Sequence, residues 1–189
     1  MTRWAPGAAG RLHDAALELF LENGFAATTV PQIAERAGLT TRSFFRYFAD
    51  KREVLFTGED ELPGVVARMF DEADHGLTPM QMVDRGFRQI VFPRLESFRD
   101  EIAVRRKIVD TDEGLREREL RKLTILQDAA KQALLRRGLT PIDAEIMARL
   151  AVAMYDTTLE LWLAQGTRTR LDDVLDTVFD AFERMATPV

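Results

Sequence analysis

Residues 38–51 read GLTTRSFFRYFADK, and where its side chains point decides the fold. Phe44, Phe45, Tyr47 and Phe48 fall within five positions, and Arg42 and Arg46 stand four apart among them. A core helix has little use for two arginines, and a solvated helix has little use for four aromatics. At about 100° per residue, Phe44 and Phe48 share one face while Thr41, Arg42, Phe45 and Arg46 spread over the other. The spacing predicts a short helix, about 41–48, with Phe44 and Phe48 in a core and Phe45 and Tyr47 flanking an exposed, cationic surface.

The flanking sequence supplies the rest of the motif. Upstream, Thr29 and Gln32 stand in capping-box register, Pro31 is tolerated in a first turn, and Val30, Ile33, Ala34 and Ala37 form a buried face. Gly38 ends that helix, Leu39 plugs the turn and Thr40 caps the next one. Before it, Leu12, Ala15, Ala16, Leu19 and Phe20 make one apolar stripe that stops at Gly24. After it, Asp50 and Glu53 open a fourth helix through Val54 and Leu55. Two short helices joined at Gly38-Leu39-Thr40 describe a helix-turn-helix.

That arrangement suits a groove lined with phosphates and base edges. Thr29 and Thr40 sit at helix starts, where hydroxyls and free N–H groups hold a phosphate. Tyr47 offers a phenol and Lys51 a mobile charge for the same purpose, and Phe45 offers a ring for sugar or a thymine methyl. Thr41, Arg42 and Arg46 lie on the face that offers donors to such a groove. Singly, each has a plainer reading as a cap or a solvated side chain. Together, at these spacings, they read as a double-stranded DNA interface.

The whole-chain composition is compatible with this. The net charge is −5, but residues 1–57 carry seven basic and six acidic side chains, whereas the remaining 132 carry 19 and 25. An acidic body behind a mildly basic tip still orients on DNA. With no cysteine in 189 residues, disulfides and thiolate metal sites are excluded. His13 and His75 form no metal-ligand pattern, and no cofactor is expected. No apolar run approaches a membrane span and no signal peptide is evident, so a cytoplasmic protein is expected. There is no nucleophile–histidine pair and no glycine-rich phosphate loop, so an all-helical enzyme lacks support.

Helical periodicity continues to the end of the chain, with helices expected near 65–74, 79–98, 100–110, 114–137, 141–165 and 171–186, the second kinked at Pro93. The expected fold is all-α: a helix-turn-helix domain over 1–50 and a larger helical domain over 51–189. Residues 144–166, AEIMARLAVAMYDTTLELWLAQG, are apolar on more than one face, and 171–185 are strongly amphipathic. A helix apolar on two faces is buried on both sides.

The stretch Ala16–Phe56, ALELFLENGFAATTVPQIAERAGLTTRSFFRYFADKREVLF, resembles the tetracycline-repressor (TetR) family of bacterial regulators. The remaining two-thirds is similar in length and helical build rather than in motif. The resemblance implies a homodimer on a palindromic operator, with a four-helix bundle between subunits and a C-terminal cavity whose small-molecule occupant loosens DNA binding. It assigns phosphate contacts to Thr29, Thr40, Tyr47 and Lys51, and base reading to Thr41, Arg42, Phe45 and Arg46. Two departures stand out. Phe45 replaces a frequent tyrosine and Arg42 a frequent small residue, so base preference does not transfer.

For the cavity, apolar and amphipathic side chains at helical spacing give Phe87, Ile90, Val91, Met154, Tyr155, Thr158 and Trp162 as candidate lining, with Met82 and Ile102 beside them. Arg106, next to Arg105, is the candidate partner for an anionic group. The effector expected is small and largely apolar. A regulator that needs no ligand, or an activator, is the alternative.

Overall fold

The computed structural model describes residues 7–166 and 168–186; Arg3, counted among the basic side chains above, lies outside them. The described residues are helical throughout and contain no strand. The helices are α1 (Ala8–Asn23), α2 (Val30–Arg36), α3 (Thr41–Tyr47), α4 (Glu53–Phe56), α5 (Leu62–Asp71), α6 (Pro79–Gly86), α7 (Phe92–Leu95), α8 (Arg99–Val109), α9 (Glu113–Arg136), α10 (Pro141–Ala164) and α11 (Leu171–Ala186).

Packing divides the chain into two compact units. The first holds residues up to Asp60 together with Asp100–Leu120, and the second holds Glu61–Arg99 and the residues from Arg121 onward. A cut at residue 50 isolates the helix-turn-helix in sequence but not in packing. Val54, Leu55 and Phe56 of α4, Ile108 and Val109 of α8 and Leu115 of α9 share one apolar cluster with Leu12, Leu19, Ile33, Phe44 and Phe48. The short helices of a helix-turn-helix bury too little alone, and these later residues complete their core.

Two arginines fasten α4 into the first unit. Arg105 donates to the Leu55 carbonyl at 2.8 Å and to Glu59 at 2.9 Å, and also pairs with Glu119. Arg118 pairs with Glu53 at 2.6 Å. Both guanidinium groups lie over the Phe56 ring, at 5.0 Å and 4.6 Å.

In the second unit, the helix expected over 79–98 is broken into pieces. Residues Phe87–Val91 form a π-helical segment in which the Phe92 N–H reaches back five residues to the Phe87 carbonyl. Pro93 explains it: proline has no N–H to donate, and its ring crowds the carbonyl four residues earlier, so the preceding turn widens. Gly86 lets α6 meet α5 closely, since a Cβ there would stand 1.8 Å from Met69 Cγ. Arg99 closes the far end of α10 by donating to the carbonyls of Trp162 at 2.7 Å and Gln165 at 2.6 Å.

Candidate nucleic-acid interface and ligand cavity

The turn between α2 and α3 is fixed by backbone chemistry. Gly38 has φ +66°, a left-handed conformation that suits glycine. Its N–H donates to the Glu35 carbonyl at 2.9 Å, and the Leu39 N–H donates to the Ala34 carbonyl at 2.8 Å. This is the Schellman stop, and Leu39 packs against the core cluster beneath it. Both helix starts are capped. Thr29 and Gln32 form a capping box, and the Thr40 hydroxyl oxygen accepts from the Ser43 N–H at 3.1 Å.

α3 separates its aromatics as its spacing predicts. Phe44 is fully buried and Phe48 nearly so, whereas Phe45 is 55% exposed and Tyr47 43%. Arg42 and Arg46 are exposed and Thr41 is half-buried. An Arg46 Nη donates to the Tyr47 hydroxyl at 2.8 Å, with the guanidinium 4.8 Å from the ring centroid. Among the described residues neither Arg42 nor Arg46 has a carboxylate within ion-pairing distance, while Arg36 of the same motif pairs with Glu18 and Glu22. Arg36 is thus neutralised, and the arginines on the outer face of α3 keep open donors.

Lys51 has a different occupation from the mobile charge expected. Its Nζ donates to the carbonyls of Phe25 at 2.7 Å, Ala26 at 3.2 Å and Thr28 at 2.9 Å, and lies 4.4 Å from the Phe25 ring centroid. All three ammonium donors are used in holding the α1–α2 corner. Burial pushes its pKa below the ordinary lysine value, with Asp112 acting to raise it and Arg52 to lower it.

The second unit contains an apolar cavity. It is lined by Leu62, Val65, Val66, Met69 and Phe70 of α5, Phe87 and Val91 of the π segment, Arg94 and Leu95 of α7, Leu126 and Ala130 of α9, and Ala151, Val152 and Tyr155 of α10. The cavity volume is about 80 Å³. Of the expected lining residues, Phe87, Val91 and Tyr155 border it.

The other candidates lie elsewhere. Ile90 is half-buried but off the wall. Met154, Thr158 and Trp162 are buried in packing, as is Met82. The Trp162 Nε1–H donates to the Thr169 carbonyl at 2.9 Å, and Arg99 covers its ring. Arg105, Arg106 and Ile102 belong to the first unit and do not line this cavity. The α5 wall was missed. Leu62, Val65, Val66, Met69 and Phe70 form an ordinary amphipathic stripe, and nothing in such a stripe distinguishes a filled contact from an empty one.

An all-helical chain whose buried helix-turn-helix core leaves α3's unpaired arginines, a tyrosine and a phenylalanine outward defines a DNA-binding transcriptional regulator of the helix-turn-helix class. Residues 12–57 match the model of the family described as bacterial regulatory proteins, tetR family. The match covers the helix-turn-helix part of the chain, which is thus similar to that family. It is 27% identical over 173 residues to the HTH-type transcriptional regulator TcmR of Streptomyces glaucescens, covering 89% of this chain and 76% of the relative. Solved structures share the fold. SmeT in complex with triclosan superposes with a TM-score of 0.66 at 22% identity, covering 92% of this chain and 90% of that one. FadR of Bacillus subtilis in complex with stearoyl-CoA does so at 0.62 and 18%, covering 90% and 95%.

Proposed function

We propose that the protein is a repressor that binds a palindromic operator as a homodimer and is released by a small, largely apolar molecule held in the cavity of the second unit. The observation that carries the DNA half is the open face of α3, on which Arg42, Phe45, Arg46 and Tyr47 are exposed above a core closed by Phe44 and Phe48. Thr41 stands at the start of that face, and the Thr29 and Thr40 hydroxyls are exposed at the helix starts beside it. Lys51 acts through the corner it holds.

Dimerisation rests on α10 and α11. Ile142 is 68% exposed, Ile146 52%, and Leu161 and Met185 also face outward. Exposed apolar side chains along two adjacent helices suit a four-helix bundle with a second copy. Two half-sites about 34–36 Å apart then require two copies of α3.

The ligand half rests on the cavity walls, and on the apolar or acyl molecules held by SmeT and FadR. α4, four residues long, packs within the first unit and is too short to carry the signal alone. α9 is the better carrier. Leu115 sits in the first core, and Leu126 and Ala130 of the same continuous helix line the cavity. The ligand must favour a conformation that does not fit two successive grooves, since without differential affinity it shifts nothing.

No helix among the described residues is long and apolar enough to cross a membrane, and a regulator of this kind acts in the cytoplasm beside its DNA. Its role is binding rather than catalysis. Fluorescence anisotropy with duplexes tiled from the DNA flanking its own gene tests the reading. One tile should bind at least about a thousandfold more tightly than random duplex at physiological salt. Equal binding of all tiles and random DNA refutes it.

A further inference from the structure

We propose that the effector is an anionic amphiphile, with its hydrocarbon part in the cavity and its acid group received by Arg94. This rests on the ligand-responsive reading above and names the chemical class that reading leaves open.

The argument starts from what the wall lacks. Apart from Tyr155, every lining side chain other than Arg94 is aliphatic, aromatic or a thioether, and among the described residues no carboxylate lines the cavity. An occupant with several polar groups would strand them there without partners. A hydrocarbon strands none. Arg94 is the one ionic exception, and it is exposed. Its side chain therefore joins an apolar wall to water.

The charge on Arg94 is also open. Arg85, Arg88 and Arg136 of the same unit each pair with aspartates. Among the described residues no carboxylate pairs with Arg94; its guanidinium donates to the Ile90 carbonyl instead. That carbonyl is a neutral acceptor in the widened segment before Pro93. A carboxylate or phosphate is a stronger acceptor for the same donors and accepts two of them in parallel. A head group arriving at Arg94 thus displaces a weaker contact, while its tail removes apolar surface from water along α5 and α9.

Calorimetry of the full-length protein with dodecanoate, dodecanol and dodecyltrimethylammonium, each below its micellar concentration, separates the possibilities. Dodecanoate should bind about tenfold or more tightly than dodecanol, and the cation more weakly than either. Arg94→Gln should bring dodecanoate down to the affinity of dodecanol and leave dodecanol unchanged, and Arg94→Lys should restore part of the preference. Equal affinity for dodecanoate and dodecanol in the natural protein overturns the role of Arg94 while leaving an apolar effector site intact. So does a preference that survives Arg94→Gln. Binding of none of the three overturns the cavity as an effector site, and this proposal with it.

Discussion

Replacing Lys51 by methionine discriminates between two jobs for one side chain. Methionine keeps the apolar stem and removes the ammonium, leaving the Phe25, Ala26 and Thr28 carbonyls without their shared donor. A hydrogen bond from a charged donor contributes roughly 1.5–3 kcal/mol. The ammonium is only half-buried, so water replaces part of that, and the burial that lowers its pKa is relieved in the variant. A net loss of about 1–3 kcal/mol follows for the set of three contacts. For a chain of this size each kcal/mol shifts Tm by about 2–4 °C, so a loss of about 2 kcal/mol lowers Tm by roughly 4–8 °C. The companion measurement is affinity for random duplex across a salt series. A lysine held on three carbonyls releases no counterion from DNA, so the slope of log K against log salt should match that of the natural protein. If Tm is unchanged and the slope falls by about one unit, Lys51 leaves the corner for a phosphate when DNA binds, and the positional role is refuted.

Other changes report on other parts of the molecule. Arg42→Ala or Arg46→Ala should cost roughly 1–3 kcal/mol on the operator and relax base preference if either is bidentate to guanine; equal loss on random duplex makes both of them phosphate contacts. Ile146→Glu should give monomers by light scattering and lose operator binding in the same titration, and a monomer that binds the palindrome tightly sinks the dimer. Gly86→Ala places a methyl group against Met69. It should cost about 1–3 kcal/mol by overpacking and weaken effector binding, because Met69 lines the cavity; calorimetry with unaltered ligand affinity contradicts this. The Arg36 hydrogen bond holds the Glu22 carboxyl below its ordinary value of 4.5. A depressed folded-state value stabilises above the unfolded one and is lost as pH falls through the folded one. The Tm deficit of Glu22→Gln at neutral pH should therefore shrink as pH falls below the ordinary carboxylate range, and a deficit that does not shrink removes the ion pair as its cause.

The helix-turn-helix was legible because its signals are local. A capping box needs Thr29 and Gln32 three apart, a Schellman stop needs Gly38, and the division of Phe44 and Phe48 from Arg42, Phe45 and Arg46 follows from helical pitch. Each of these is decided within one or two turns of chain. Lys51 was not legible in the same way, because its carbonyl partners lie 23–26 residues earlier and backbone acceptors leave no mark in a sequence. Its identity looked like a phosphate contact because a lysine beside a recognition helix is read by its charge. Arg105 and Arg106 were drawn toward the cavity by their charge in the same manner. The first unit claims Arg105 instead, through Leu55, Glu59 and Glu119.

The cavity shows a different limit. Periodicity identifies which face of a helix is apolar, as it does on α10 and α11. It does not say whether that face meets a side chain or an empty volume. Trp162 and Phe87 are both buried aromatics at helical spacing, yet Trp162 is held by Thr169 and Arg99 and Phe87 borders the cavity. The difference arises from α5 and from the π turn ahead of Pro93, which set how closely the neighbouring helices approach. An empty volume is a property of several helices at once, and no single stripe encodes it. The single charged exception in such a wall is more informative than the wall itself. Fourteen described residues line this cavity and one of them is charged, so the chemistry of the occupant turns on Arg94, a residue whose own sequence context, between Pro93 and Leu95, gives no sign of it.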